Sequence, residues 1–457
     1  MTARTTRIDW PDFGAPAVPP EPTLGDYRGR LAAVRAGMAA RGLAALVIYG
    51  DREHAANLHW LTGFDPRFEE AVIVVTPRDA LLIAGNECLP YTQISPLVEA
   101  FAVRVEHCAT LSLPSQPRQG RRLADILGDV VPAGTIGAAG WKWFEPSEVD
   151  DPETTLDLPA FVADPLRAKG RVVNATDLFM HPAHGLRARV DAAGIARLEF
   201  ANHMAAAALR RMVFAFREGM TDFEAYQAAQ VGGLPLGCHS TFATGARADQ
   251  GLSGPTGQVL RRGSPISFNI CHWGSNICRA GWLASGPGDL PATAQDYLEA
   301  FAGPYVAAIA HWCGMMRPGV AGGEVWAAMQ ERLPFDRFGL FLNPGHLIGL
   351  DEWMSSPIFE GSDIPLASGM AMQCDVIPSH PVYGSTRMED GYVIADAGLR
   401  GELAARFPAV AARIAHRQRF MEQVIGIAVP DSLLPLADTC GIVAPWLLDP
   451  GLVITLR

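Results

Sequence analysis

Residues that can transfer protons or bind cations concentrate in four short stretches of the second half of the chain. The first, "FNICHWGSNICRAG", spans residues 268–281, and the others are "NPGHLIGLDEW", "AMQCD" and "RMEDGYVI". Because imidazole and carboxyl groups do acid–base and metal chemistry, the candidate catalytic residues are His346, Asp351, Asp375 and Glu389. The candidate substrate-binding residues are Asn269, Cys271, Asn276, Arg279 and Trp353.

The stretch 268–281 is predicted to be β-structure, in which successive side chains point to opposite faces. If Asn269 faces a site, Cys271 does too and His272 points away. Cys271 and Cys278 are each either an inert buried thiol or a nucleophile. A zinc site made of Cys271, His272 and Cys278 is excluded, because this spacing matches no common zinc motif.

Each carboxylate also has a structural interpretation. Asp375 and Glu389 lie in apolar, strand-like sequence, and a buried carboxylate must be paired or have a shifted pKa. They are therefore either partners of Arg387 or Arg279 in a central salt bridge, or acid/base groups. Asp351 is either an acid/base group or a surface charge.

An internal repeat positions these stretches. Residues 197–230 align without gaps with residues 297–330, and both copies contain the frame R-x-G-x(4)-E-x-[YW]-x-A-x-Q. In each copy, a predicted helix ends at a glycine and a second helix begins shortly after it. Thr221 and Glu224 form a predicted capping box at the start of the second helix in the first copy. Strand-like sequence follows each copy, so a duplicated helix–helix–strand–strand unit should close around a pseudo-two-fold axis on which the polar residues converge.

Composition and patterning predict the organisation of the rest. We expect a Pro-rich arm at 1–24, an α/β domain at 25–165, a linker at 166–186, the repeat domain at 187–397 and a helical extension at 398–457. The 457 residues carry a net charge of −11, which argues against nucleic acid or an anionic membrane as a partner. The short apolar runs and the absence of a signal-peptide core favour a cytoplasmic protein with reduced cysteines.

The motifs "GSPISFN", "NPGHLIGLDEW", "SGMAMQCD" and "RMEDGYVI", in this order, resemble those of the pita-bread enzymes, which include methionine aminopeptidase, prolidase, creatinase and a dimethylsulfoniopropionate lyase. With "NLHWLTGF", which marks a creatinase-like amino-terminal domain, the resemblance covers about residues 25–400. It implies an α/β fold of the α+β type. A pita-bread C-terminal catalytic domain with an internal pseudo-two-fold repeat would follow a creatinase-like N-terminal α/β domain.

Metal-dependent members of this family bind two metal ions through Asp, Asp, His, Glu and Glu. By resemblance, these positions fall on Asn269, Asn276, His346, Asp375 and Glu389. Two carboxylates are replaced by amides, which carry no charge and bridge cations poorly. The expectation is therefore that no cofactor is bound. If one divalent ion is bound, its predicted ligands are His346, Asp375 and Glu389.

The resemblance implies an enzyme, and a homodimer. We expect a small-molecule hydrolase that cleaves a C–N bond of an amide, guanidine or related compound, with a degenerate or absent two-metal site. Asp351, Asp375 or Glu389 would act as acid or base, and His346 as orienting group or proton donor. Three alternatives stay open: a lyase with Asp351 as base, a metal-dependent Xaa-Pro aminopeptidase or prolidase, and a non-catalytic binding protein.

Overall fold

The structure is a computed structural model that describes residues 2–248 and 251–457. The chain divides into two compact units. One comprises Glu21–Ala188, and the other combines Arg189–Arg457 with the first residues of the chain up to Pro20. The fold class predicted from the sequence is confirmed, since both units mix helices and strands.

The Glu21–Ala188 unit is a sheet covered by helices. Its helices are α1 (Leu24–Ala40), α2 (Ala56–Thr62), α3 (Cys88–Tyr91), α4 (Pro96–Glu99), α5 (Leu123–Val130), α6 (Ala160–Lys169) and α7 (Asp177–Met180). Its strands are β2 (Ala45–Gly50), β3 (Ala71–Val75), β4 (Ala80–Ala84), β5 (Arg104–His107), β6 (Ile136–Ala139) and β7 (Val172–Asn174).

These six strands form one sheet in the order β5-β4-β3-β2-β6-β7. The central strands β2 and β3 are fully buried because aliphatic residues occupy both of their faces. The segment predicted as a linker at 166–186 belongs to this unit instead: it contributes β7, which pairs in parallel with β6, and α7. The boundary of this compact unit lies at Ala188.

The larger unit contains the repeat. Its helices are α8 (Ala192–Ala215), α9 (Asp222–Ala229), α10 (Gly303–Met315), α11 (Gly322–Arg332), α12 (Phe335–Phe338), α13 (Ala397–Arg406) and α14 (Pro408–Phe420). Its strands are β1 (Ala3–Arg7), β8 (Phe242–Thr244), β9 (Pro265–His272), β10 (Ser275–Trp282), β11 (His346–Leu347), β12 (Ala371–Gln373), β13 (Ser379–His380), β14 (Gly384–Ser385), β15 (Arg387–Glu389), β16 (Gly391–Ile394), β17 (Leu433–Pro435) and β18 (Leu452–Leu456).

Two four-stranded sheets, ordered β15-β10-β9-β8 and β11-β12-β16-β17, carry the site. The predicted repeat is seen in the equivalent helix pairs α8–α9 and α10–α11. Both pairs turn through a left-handed glycine, Gly219 at φ 86° and Gly319 at φ 91°, a conformation that glycine adopts without strain. The predicted capping box is confirmed: Thr221 accepts from the Glu224 backbone N–H, and Glu224 accepts from that of Thr221.

Both chain ends belong to this unit. The start of the predicted arm is the strand β1, which pairs antiparallel with β18. The predicted helical extension contains α13 and α14 but ends in strands, since β17 extends the second sheet beside β16. Buried Glu199 on α8 binds Arg413 at 2.7 Å and Arg417 at 2.8 Å, which anchors α14. In the described part of the chain, no helix has the length and hydropathy to cross a membrane.

Candidate functional site

His346 is the centre of the candidate site. It begins β11 directly after Gly345, whose φ of 122° is available to glycine and strained for other residues. The Nδ1 atom lies 3.2 Å from the Leu347 carbonyl oxygen, which can only accept, so Nδ1 carries the proton. In the neutral ring, the lone pair is therefore on Nε2. The ring is fully buried and stacks on Trp353, with 4.1 Å between centroids.

Three carboxylates surround His346. Its Nε2 atom lies 3.6 Å from Glu352 Oε1 and 3.7 Å from Asp375 Oδ2. Ligand atoms of His346, Glu352 and Glu389 all lie within 4.8 Å of one another. His346 Nε2 and Asp375 Oδ1 are buried and make no hydrogen bond within the described part of the chain. Since such atoms are normally satisfied, they indicate where a ligand, water or ion binds.

Two asparagines form a directed chain of hydrogen bonds that ends at these carboxylates. The Thr241 backbone N–H donates to Asn269 Oδ1 at 2.8 Å, which fixes the orientation of that amide. Asn269 Nδ2 must then face Asn276, and it donates to Asn276 Oδ1 at 3.2 Å. Asn276 Nδ2 consequently donates to Glu352 Oε1 and Glu389 Oε1, each at 3.0 Å. We call this chain of bonds the amide relay.

The amide relay changes the expected role of the asparagines. Asn269 also donates to Cys238 Sγ at 3.4 Å and lies within 3.5 Å of the Tyr226 hydroxyl. The Asn276 amide is occupied by Asn269, Glu352 and Glu389. The two amides that were expected to bind a substrate are therefore hydrogen-bonded to other side chains of the protein. Their geometry suits orientation of the carboxylates rather than direct contact with a substrate.

Burial shifts the ionisation of the cluster. Desolvation raises the pKa of Asp375 to about 6, and the charge of Glu352 adds to the effect while His346 opposes it. Desolvation also raises the pKa of Glu389, with contributions from the charges of Asp375 and Glu352. Arg387 lowers the pKa of both Asp375 and Glu389. Its side chain shares a face with Glu389 on β15, and its Nε donates to Ser385 Oγ at 3.2 Å.

The structure separates Arg279 from the cluster, against the expectation that it binds a substrate. Its neighbour Cys278 lies on the face of the carboxylates, so the alternation of β10 directs Arg279 to the opposite side. There its guanidinium binds both oxygens of Asp390, at 3.0 and 2.7 Å. Its remaining N–H groups donate to the carbonyls of Cys278, Glu389, Thr439 and Ile442. Arg279 therefore fastens residues 439–442 to the sheet.

The other predicted site residues take different positions. Trp353 is half-buried against His346. Cys271 shares the face of Asn269, as the alternation predicts, but a contact with Cys238 and its own burial raise the pKa of its thiol, which disfavours a nucleophile. The carboxylate that contacts Asn276 and His346 comes from Glu352 rather than from Asp351. The structure places Asp351 in the bend before it, where its carbonyl accepts from the Gly349 N–H at 3.0 Å.

Sequence reasoning missed Glu352 and Gln373. Glu352 stands beside Asp351 in "GLDEW", and no periodicity in this irregular loop indicates which of the two side chains faces inward. Gln373 Nε2 contacts the Asn276 carbonyl and lies 3.4 Å from Glu389 Oε1. The alternation of β12 gave a signal for Gln373, since it lies two residues before Asp375.

The two-metal centre implied by the resemblance does not fit these residues. Each metal needs anionic ligands, and one carboxylate must bridge both ions. At one of the positions where the resemblance implies a metal-binding carboxylate, Asn276 instead directs N–H groups at Glu352 and Glu389. Because an N–H donor repels a cation, the amide relay excludes a second ion beside Asn276.

Comparisons with known proteins agree with the fold. The family described as the Creatinase/Prolidase N-terminal domain matches residues 30–136. No curated protein matches the chain. Similar solved structures include an Xaa-Pro dipeptidase from Bacillus anthracis, which is 15% identical with a TM-score of 0.61 and covers 81% of this chain and 96% of its own.

Two further solved structures are similar to this chain. The prolidase from Pyrococcus horikoshii is 16% identical, with a TM-score of 0.61, over 80% of this chain and 95% of its own. The N-terminal domain of the FACT complex subunit SPT16 from Cicer arietinum is 15% identical, with a TM-score of 0.59, over 81% and 94%. At these identities, the similarity establishes the fold alone. The chain has the pita-bread fold, with a creatinase/prolidase N-terminal domain.

Proposed function

We propose that this pita-bread protein is a small-molecule hydrolase that cleaves a C–N bond of an amide, guanidine or related compound. The observation that carries the proposal is the pair of buried atoms His346 Nε2 and Asp375 Oδ1, which make no hydrogen bond to any residue that the structure describes and lie beside two further carboxylates. Leaving such atoms unsatisfied costs about 1–3 kcal/mol each. A site that retains this cost is suited to binding water and the polar atoms of a substrate.

Asp375 is the proposed base. Its carboxylate removes a proton from a water molecule, whose oxygen forms a bond to the substrate carbon. The C–N bond then breaks, and the same proton passes from the carboxyl group to the leaving nitrogen. The products are the hydroxylated carbon fragment and the amine, and Asp375 returns to its starting state.

The surrounding groups orient this reaction. His346 is held by its Nδ1–H bond and by stacking on Trp353, so Nε2 points at Asp375 and Glu352. The amide relay fixes Glu352 and Glu389. Trp353 is proposed as a wall for the substrate, since an indole face binds both apolar and cationic groups.

Similar structures support the proposal only in part. Two of them are named as a dipeptidase and a prolidase, which supports hydrolysis of a C–N bond. Another is named as a subunit of the FACT complex, so the fold by itself does not choose between an enzyme and a binding protein. The homodimer and the cytoplasmic location stay predictions.

The test is product analysis in water labelled with oxygen-18. The purified chain is incubated with a panel of dipeptides, other amides, guanidines, betaines and sulfonium compounds, and products are identified by mass spectrometry. Hydrolysis predicts one labelled oxygen in the carbon fragment and release of an amine. Asp375→Asn is expected to lower the rate by about 100-fold or more, in the range of a lost general base. Glu360→Gln, at an exposed position, is the matched control.

Other results would select another function. An unsaturated product without label would indicate a lyase, and Asp351 would then be tested as its base. Binding of a compound without any turnover would indicate a binding protein. Turnover by Asp375→Asn at the wild-type rate would exclude the role given to this carboxylate.

A further inference from the structure

We propose that Cys238 and Cys271 form a disulfide bond when the protein meets a hydroperoxide, and that reduction by a thiol restores both cysteines. The two residues are free thiols in this structure. Cys238 lies in the segment 235–241, between α9 and β8, and Cys271 lies on β9. The inference goes beyond the proposed function, because it concerns a covalent modification that needs no substrate.

The segment 235–241 is fastened along β9 at both of its ends. The Trp273 backbone N–H donates to the Pro235 carbonyl at 3.0 Å, and the Asn269 backbone N–H donates to the Thr241 carbonyl at 3.3 Å. Since the segment starts beside Trp273 and ends beside Asn269, the two stretches run antiparallel, like neighbouring strands. The middle of the segment therefore lies opposite the middle of this part of β9.

Cys238 and Cys271 are these two middle residues, and their thiols contact each other. The backbones are also close, since a Cβ atom at Gly237 would lie 2.9 Å from Cys271 Sγ and 3.0 Å from the His272 carbonyl oxygen. Facing residues of neighbouring strands have Cβ atoms about 4.5–5.5 Å apart, and a disulfide needs about 3.5–4.5 Å. A small movement of the segment is enough to close the bond.

Cys278 shares this face of the sheet but is a poor partner for Cys271. The register of β9 and β10 pairs Cys278 with Asn269, and Cys271 with Asn276, so the two cysteines are diagonal neighbours. Diagonal neighbours on an antiparallel pair are about 7–8 Å apart, which is beyond the reach of a disulfide. The geometry therefore selects Cys238 as the partner of Cys271.

The exposure of the two thiols sets the order of the reaction. Cys238 is half-exposed and Cys271 is buried, so the hydroperoxide reaches Cys238 first. The Cys238 sulfur takes the terminal peroxide oxygen and becomes a sulfenic acid, and the peroxide leaves as an alcohol, or as water from hydrogen peroxide. The Cys271 sulfur then attacks that sulfur. The S–S bond forms, the S–O bond breaks, and the hydroxyl group leaves as water with the Cys271 proton.

The disulfide would act on the amide relay. Asn269 Nδ2, a donor of that relay, also donates to Cys238 Sγ at 3.4 Å. When Cys238 Sγ turns to bond Cys271, this acceptor moves away from Asn269. The same bond fixes the segment 235–241 to β9, and the Thr241 N–H of that segment orients the Asn269 amide. Oxidation is thereby coupled to the groups that position the carboxylates.

The experiment treats the reduced, full-length chain with hydrogen peroxide, digests it without reducing agent and identifies cross-linked peptides by mass spectrometry. We expect a peptide pair that joins Cys238 to Cys271, the loss of two of the eight thiols, and their recovery with dithiothreitol. Cys238→Ser and Cys271→Ser should each abolish the cross-link. Cys278→Ser makes the same change on the neighbouring strand and, as the matched control, should retain it.

Hydrogen–deuterium exchange measures the effect on the segment 235–241. After oxidation of the wild-type chain, the amides of this segment should exchange more slowly than in the reduced chain, because the cross-link opposes local opening. In Cys238→Ser, the same treatment should leave the exchange unchanged. Equal exchange in the reduced and cross-linked wild-type chains would overturn the effect on the segment.

Four outcomes overturn the disulfide itself: retention of all eight thiols, conversion of Cys238 to a sulfinic acid only, a bond between the Cys238 residues of two chains, or a cross-link to Cys278. The peptides are mapped on the wild-type chain, so the assignment is tested even if a variant fails to fold. Neither measurement uses a substrate, so a chain that hydrolyses no compound would still retain this inference.

Discussion

Replacing Asn276 by Asp puts a negative charge where the amide relay has an N–H donor. A carboxylate oxygen would then face Glu352 Oε1 and Glu389 Oε1 at the present 3.0 Å. At an effective dielectric constant of about 20, each such contact costs roughly 5–6 kcal/mol. The new group will instead take up a proton, which limits the cost.

Keeping an aspartic acid of ordinary pKa protonated at pH 7 costs about 4 kcal/mol, and at pH 5 about 1.5 kcal/mol. The pKa of the folded state is raised here, so the destabilisation grows as pH rises above the pKa of the unfolded chain. Asn276→Asp should therefore lose up to about 4 kcal/mol of unfolding free energy at pH 7, and about 2.5 kcal/mol less at pH 5.

The assay is equilibrium unfolding by denaturant at pH 5 and pH 7, in the presence of a chelator. Asn343→Asp, at a half-buried position of the loop before His346, is the matched control and should change little at either pH. Adding Co²⁺ should restore more stability to Asn276→Asp than to the wild type, since the new carboxylate can bind a cation. Equal stability of variant and wild type at pH 7, or a loss that does not depend on pH, would refute the amide orientation.

Three further predictions concern the support of the site. Arg279→Met leaves the buried carboxylate of Asp390 without its cation, although the Thr439 hydroxyl still donates to it. Calorimetry should show a loss of about 3–5 kcal/mol of unfolding free energy. A change below about 1 kcal/mol would contradict the structural role of the ion pair. Gly345→Ala forces an alanine into a backbone conformation with a φ of 122°. The free energy of unfolding, measured with denaturant, should fall by about 1–3 kcal/mol. Unchanged stability would show that the turn relaxes. A thiol reagent should modify the half-exposed Cys238 of the native protein before Cys278, because burial raises the pKa of the Cys278 thiol. Equal labelling rates at the two cysteines would contradict the burial of Cys278.

The predictable part of the site came from local patterns. The order of motifs led to His346, Asp375 and Glu389, and the structure places these three residues together. Strand alternation put Asn269 and Cys271 on one face, because side-chain direction along a strand depends on the chain itself. The same alternation, applied to β10, separates Arg279 from Cys278 and would have directed Arg279 away from the site.

The choice between Asp351 and Glu352 was not accessible in this way. Both residues lie in an irregular loop without a repeating backbone geometry, so neighbouring side chains have no fixed directions. The ion-pair partner of Arg279 was also not accessible from the sequence. The candidates were Asp375 and Glu389, and in the structure Arg279 binds Asp390.

The sequence by itself determined the fold class, the repeat, the capping box of α9 and the presence of amides at two positions where the resemblance implies carboxylates, because these follow from residue identity and short-range periodicity. Only the tertiary structure decided what these two amides contact. The direction of the Asn276 amide depends on a backbone N–H of Thr241, and its acceptors are 76 and 113 residues away. Hydrogen bonds act over about 3 Å, so a relay of this kind exists only once distant segments have packed together.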